Sequence, residues 1–90
     1  MGFFFEVMFV VYIIYSQKLD RFYIGHTEDI AIRINEHNSG ISNYTSKAKD
    51  WVIKLTIAFK TREEAKRREL EIKKKKSRKY IEWLILESKG

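Results

Sequence analysis

Hydrophobic and polar positions divide the chain into short stretches of different period. From Phe9 to Tyr15 the residues are apolar or aromatic without a break and rich in Val, Ile and Tyr, the pattern of a strand covered on both faces. Ser16 to Arg21 is polar and Phe22 to His26 resumes the strand composition, which predicts an antiparallel hairpin with a loop of about five residues. Gly25 is expected to end the second strand, where a missing side chain permits a sharp turn or the close approach of a ligand to the backbone. Thr27 then reads as the N-cap of a helix from Glu28 to about Asn38, with Glu28 and Asp29 in its first turn and Ser39-Gly40 stopping it. At 100° per residue, Ile30, Ala31, Ile34 and Asn38 share one face of that helix. Arg33 and His37, four residues apart, stand at the edge of this face, at the rim of the core.

After a polar loop from Gly40 to Asp50, residues 51 to 59 alternate. Trp51, Ile53, Leu55, Ile57 and Phe59 fall on one side and Val52, Lys54, Thr56 and Ala58 on the other, as in a third strand with one face in the core. Thr61 and Glu64 form a capping-box pattern that opens a second helix, on which Ala65, Glu69 and Ile72 lie in one arc beside Lys73. Glu69 is therefore an acid on the inward side, where it must find a cation or a metal. Lys74 to Lys79 reads as a basic connector and Tyr80 to Leu86 as an apolar terminal helix capped by Ser77.

Composition narrows the class. Ninety residues, 44% hydrophobic and 14% aromatic, suit one small folded domain rather than two or a disordered chain. With no cysteine and no proline, there is neither a disulfide framework nor a cysteine-rich zinc site. The apolar N-terminal stretch is interrupted by Glu6, lacks a basic segment and a cleavage site, and is too short to span a bilayer. Residues 1–7 are expected to be a short leader, and the protein cytoplasmic with no membrane association. Net charge is +6, and the stretch from Lys60 to Tyr80 holds eleven Lys or Arg against four acids, so it carries the whole positive excess. That suits a surface meeting a polyanion, although a solvated helix face accounts equally well for a charge run alone.

Two tyrosines on a hairpin, an arginine and a histidine on the next helix, and an inward glutamate on a later one make a candidate polar site. Each residue also has an ordinary reading by itself. Tyr12 and Tyr23 suit half-buried strand aromatics, His37 a helix-edge residue with a local hydrogen bond, and Glu69 a helix salt bridge to Lys73. Their joint occurrence has no such explanation.

Taken together, Tyr12 in Val10-Val11-Tyr12, then Tyr23-Ile24-Gly25, Arg33, His37 and Glu69 in Arg67-Arg68-Glu69 resemble, in order and spacing, the signature of the GIY-YIG nuclease superfamily. Glu36-His37-Asn38-Ser39-Gly40 looks like its small stand-alone bacterial branch. The resemblance covers roughly residues 9 to 83. Val10-Val11 replaces the Gly-Ile of the first motif, and His26 replaces a lysine common after the second. No asparagine follows Glu69, and Trp83 stands close to where many members carry one.

The resemblance implies an α+β fold, a small three-stranded antiparallel sheet flanked by about three helices, spanning 1–90 as a single catalytic domain with no separate DNA-binding domain. It implies a metal-dependent endonuclease hydrolysing DNA phosphodiesters, structure- or backbone-directed rather than sequence-specific, with DNA repair as its setting and RNA left open as a substrate. The alternative is a catalytically weak or inactive nucleic-acid-binding module on the same fold. Tyr12, Tyr23, Arg33, His37 and Glu69 are the implied catalytic residues, with Glu69 holding Mg²⁺ or Mn²⁺, Arg33 binding the scissile phosphate in a bidentate manner, and Tyr12, ahead of Tyr23, acting as the base. Nucleic-acid contacts are expected at Gly25 and His26, at Lys47 and Lys49 in the loop, and at Arg67, Lys73, Lys74, Lys75, Lys76 and Arg78. Tyr44 and Trp51 are candidates to stack on unpaired bases, core packing being the stronger reading for Trp51. One metal site per chain cuts one strand at a time, so monomer and homodimer both remain open.

Overall fold

The structure, a computed structural model, describes residues 8–89, and the expected leader at 1–7 lies outside the described residues. Strand β1 (Phe9–Ser16) is central, between β2 (Arg21–Thr27) and β3 (Val52–Phe59), in an antiparallel sheet of order β2-β1-β3. This position explains its unbroken apolar run, because helices cover both faces. One face carries Val11 and Ile13, which pack with Ile24, Ala65, Ile72 and Ile85 beneath helices α2 (Arg62–Lys74) and α3 (Arg78–Ser88). The other carries Ile14, which packs with Ala48, Trp51 and Ile34 on the side of helix α1 (Ile30–Ser39). Full burial of a side chain such as Ile13 contributes about 1.5–3 kcal/mol. The α+β architecture expected from the sequence is the one observed.

Four features of the sheet and of the first helix differ from the sequence reading, each for a local reason. The hairpin loop is shorter, Gln17 to Asp20, and Asp20 takes a positive φ of 52° to close it. Strand β2 does not end at Gly25 but runs on to Thr27, with Gly25 opposite Tyr12. Helix α1 is capped by Asp29, whose side chain accepts from the Ile32 N–H, while the Thr27 hydroxyl accepts from the Asp29 N–H one turn earlier. Its first turn accordingly holds no acid. Ala31 is exposed, and the inward arc runs through Arg33, Ile34 and His37, so His37 is fully buried rather than at the rim.

The fourth difference is a bulge. Ile13 pairs with Leu55 but Ile14 pairs with Ile53, which leaves Lys54 as an extra residue and reverses the facing of the strand before it. Leu55 and Phe59 therefore pack under α2 and α3, while Ile53 turns to the other side and is 43% exposed. Trp51 precedes the strand and is buried on the α1 side. There its N–H donates to the Asn38 side chain at 2.8 Å, whose amide donates back to the Trp51 carbonyl at 3.0 Å. This two-bond clasp ties the end of α1 to the start of β3.

Both remaining caps form as the sequence predicts. The Thr61 hydroxyl accepts from the Glu64 N–H at 3.1 Å and Glu64 accepts from the Thr61 N–H at 3.2 Å, and the Ser77 hydroxyl accepts from the Tyr80 N–H at 3.1 Å. Helix α3 begins at Arg78, which shortens the basic connector to Lys75-Lys76-Ser77. Among the described residues no helix is long and apolar enough to cross a membrane.

Candidate active site

Gly25 sets the geometry of the site. It faces Tyr12 across the hairpin, and a Cβ placed on it would lie 2.5 Å from the Tyr12 Oη. The space of the absent side chain is filled by the Tyr12 phenol, which lies over β2 toward the open edge of the sheet. The expected turn at Gly25 is thereby corrected, and the space at its Cα is taken by the chain's own tyrosine.

The phenol ends in a chain of hydrogen bonds rooted in α1. Arg33 Nε donates to Tyr12 Oη at 3.4 Å, Tyr12 Oη lies 2.8 Å from His37 Nε2, and His37 Nδ1 lies 2.6 Å from Thr45 Oγ1. His37 thus joins the Tyr12 phenol to the Thr45 hydroxyl, one nitrogen of the neutral ring donating and the other accepting. Burial, reinforced by the neighbouring guanidinium, pushes His37 down to about 4, which keeps the ring neutral. Burial also pushes the Tyr12 phenol up to about 12; the Arg33 hydrogen bond opposes this, and the charges of Tyr23 and Glu69 add to it. Both shifts favour a neutral phenol beside a neutral imidazole. Tyr12 is thus held as a neutral phenol, braced between Arg33 and His37.

Tyr23 is placed differently. Its ring packs edge-on to Tyr12 at 6.3 Å between centroids and to His37 at 5.0 Å, with Tyr44 on its outer side at 5.3 Å. No buried polar side-chain atom lacks a partner among the described residues, yet none of their hydrogen bonds involves the Tyr23 hydroxyl, so that hydroxyl reaches solvent.

Glu69 arrives from α2, on the other side of β2. Its carboxylate accepts from His26 Nδ1 at 2.6 Å and from Lys73 Nζ, and Lys73 Nζ lies 5.9 Å from the centroid of the Tyr23 ring. Desolvation works to raise the Glu69 carboxyl, but the hydrogen bonds from Lys73 and His26 outweigh it and hold the group below the usual carboxylate range. His26, read from sequence as a phosphate contact in place of lysine, instead orients Glu69, with Nε2 turned away from that bond. Thus Tyr12, Tyr23, Arg33 and His37 meet on the α1 side of β2, and Glu69 reaches the same strand from the α2 side.

A family model of the GIY-YIG catalytic domain matches residues 8–81. The chain belongs to the GIY-YIG family. Among solved structures, it is similar to the UPF0213 protein BH0048 from Bacillus halodurans, with 35% sequence identity over 87% of this chain and 82% of that one and a TM-score of 0.54. No curated protein matches.

For a GIY-YIG nuclease domain the donor set at Glu69 is spare. The described residues contain no cluster of three His, Cys, Asp or Glu able to hold a metal. One ionised carboxylate fits Mg²⁺ or Mn²⁺ when water and substrate phosphate complete the shell, as Mg²⁺ prefers, since each carboxylate oxygen keeps a lone pair beyond its present hydrogen bond.

Arg33 is less free than a bidentate phosphate clamp requires, because Nη1 donates to Glu36 at 3.0 Å while Nε holds Tyr12. The basic residues separate into two groups. Lys73, Lys76 and Arg78 line a hollow beside β2 and Lys47 lines its continuation, whereas Lys49, Arg67, Lys74 and Lys75 are exposed outside both. Arg78 is itself paired with Asp20 at 2.7 Å. Trp83 lies outside the site, stacked on Tyr80 on α3.

Two residues of the site escaped sequence reading. Thr45, within the polar loop from Gly40 to Asp50, is fully buried behind His37. Arg21, at the start of β2, lines both hollows. The one available signal for Arg21 was its place as the first residue of an edge strand.

Proposed function

We propose that this chain is a metal-dependent endonuclease that hydrolyses phosphodiester bonds of DNA, directed by the backbone and structure of its substrate rather than by its sequence. The observation that carries this reading is the convergence on strand β2 of a held phenol, a free phenol, a guanidinium and an ionised carboxylate from β1, β2, α1 and α2.

Arg33 binds the scissile phosphate, exchanging Glu36 for a phosphate oxygen while Tyr12 keeps its Nε in place. Tyr23, with its hydroxyl open to solvent, takes the proton from the attacking water. The Lys73 ammonium lies 5.9 Å from the centroid of its ring, on the side of α2. The water oxygen forms its bond to phosphorus as the bond to the leaving oxygen breaks, and the negative charge that develops is met by Arg33. His37 shares a hydrogen bond with Tyr12 and so sets the orientation of Tyr12 and, through it, of Arg33. Glu69 would hold Mg²⁺ or Mn²⁺, which would supply neutralisation of the phosphate and of the leaving oxygen.

A second reading, a nucleic-acid-binding module that cleaves weakly, draws on the two hydrogen-bond donors, His26 and Lys73, already held by Glu69. Plasmid nicking decides between them. The wild type is expected to nick supercoiled DNA with Mg²⁺ or Mn²⁺ and to stop on chelation, and Arg33→Ala, Glu69→Gln and Tyr23→Phe are each expected to lower the rate by about 10²-fold or more. Binding without nicking by the wild type establishes the second reading, and nicking unchanged by all three substitutions rejects the site.

A further inference from the structure

Beside the catalytic groups runs a groove whose ligand is not yet assigned. Two hollows of about 650 Å³ and 640 Å³ meet at Leu19, Arg21 and Tyr44, which line both. The first continues past Lys73 and Lys76 to the turn between α2 and α3, the second to Lys47 in the loop after α1. Among the described residues Arg21, Lys47 and Lys76 take part in no ion pair, so the groove presents uncompensated positive charge along the open edge of β2.

In the middle of that charge stands an aromatic ring. Tyr44 is 59% exposed, and its ring is steadied on one side by Tyr23 at 5.3 Å and a tilt of 37°, which leaves the other side open. An exposed ring between cations is a platform for a nucleobase, since any base can offer a π-face while its phosphates meet the charges. A base inside a duplex has both faces covered by its neighbours and cannot use such a platform. A hollow of this size takes a group about as large as a nucleotide, not the width of a double helix.

We infer that the groove holds an unpaired strand of DNA, with one base stacked on Tyr44 and the adjoining phosphates on Arg21, Lys47 and Lys76. The preferred substrate then carries a single-stranded segment beside the bond to be cut, as a flap, an overhang or a free strand does, rather than continuous duplex. The word substrate rests on the nuclease reading, but the occupant of the groove can be tested without cleavage.

The test is fluorescence anisotropy of the full chain in chelator, with a labelled strand of about a dozen nucleotides and with the duplex of the same sequence. The wild type is expected to bind the single strand more tightly than the duplex. Tyr44→Ala should weaken single-strand binding by about 5- to 150-fold and leave duplex binding unchanged, while Tyr44→Phe, which keeps the ring, should bind as the wild type does. Arg21→Gln should flatten the salt dependence of single-strand binding by a little under one ion released. Equal loss on both ligands, no loss on the single strand, or the same loss with Tyr44→Phe overturns the inference. Failure of the nuclease reading is distinguishable: it leaves the Tyr44-dependent binding intact and shows only as an absence of nicking when metal is supplied.

Discussion

Beneath α2 and α3 the sheet buries Val11, Ile13, Ile24, Ala65, Ile72 and Ile85, a surface held by area alone. Beneath α1 it also buries Tyr12, Ser16, His37 and Thr45, every one of which has a hydrogen-bond partner. The two faces share strand β1, whose alternate residues supply one and then the other. An apolar contact tolerates small shifts, whereas a buried donor that loses its partner costs about 1–3 kcal/mol. The apolar face therefore sustains the fold and the polar face fixes the orientations of Tyr12, Arg33 and His37, whereas Glu69 is held from the α2 side by His26 and Lys73.

The largest effect should come from breaking the apolar side. Ile13→Ala is expected to lower unfolding free energy by about 2–5 kcal/mol, read by urea denaturation, whereas nicking rate per folded molecule stays near that of the wild type. A specific loss of rate at full folding would mean that the two faces are not separable. Next comes the polar side: Arg33→Ala should lower nicking by about 10²–10³-fold with little change in melting temperature.

His37 sharpens the contrast through pH. Its folded value of about 4 lies below the ordinary 6.5, so the unfolded chain binds the additional proton first as pH falls. Its contribution is fully present above about pH 6.5, declines between there and about pH 4, and amounts to about 3 kcal/mol. His37→Gln should remove that part of the pH dependence, measured as the difference between the two denaturation series, and leave the part due to carboxylates. The smallest effect is expected at the exposed pair Arg62 and Glu28, where Glu28→Gln should change stability by less than about 1 kcal/mol and nicking not at all.

Much of this contrast was legible from the chain. The unbroken run of β1, the capping box of α2, the Ser77 cap and the inward place of Glu69 follow from period and local chemistry, and the structure has them as read. What escaped depends on contacts distant in sequence. Nothing near Lys54 announces a bulge, since the alternation of residues 51 to 59 continues straight through it, and only the pairing with Ile13 and Ile14 reveals the reversal. Thr45 and His37 are eight residues apart across a loop, and no period brings them together. Gly25 was legible as special but not as the seat of a phenol from the neighbouring strand.

The cations along β2 have a consequence outside catalysis. An uncovered strand edge offers its unpaired N–H and C=O groups to any similar edge, and a second copy of this chain carries one. Arg21, the first residue of β2, and Lys76 beside it in the groove make two such copies repel each other. Charges suited to drawing in a polyanion thus also keep the molecule from joining its own kind, and mutants that neutralise them to weaken binding should be watched for aggregation before a lost activity is attributed to the site.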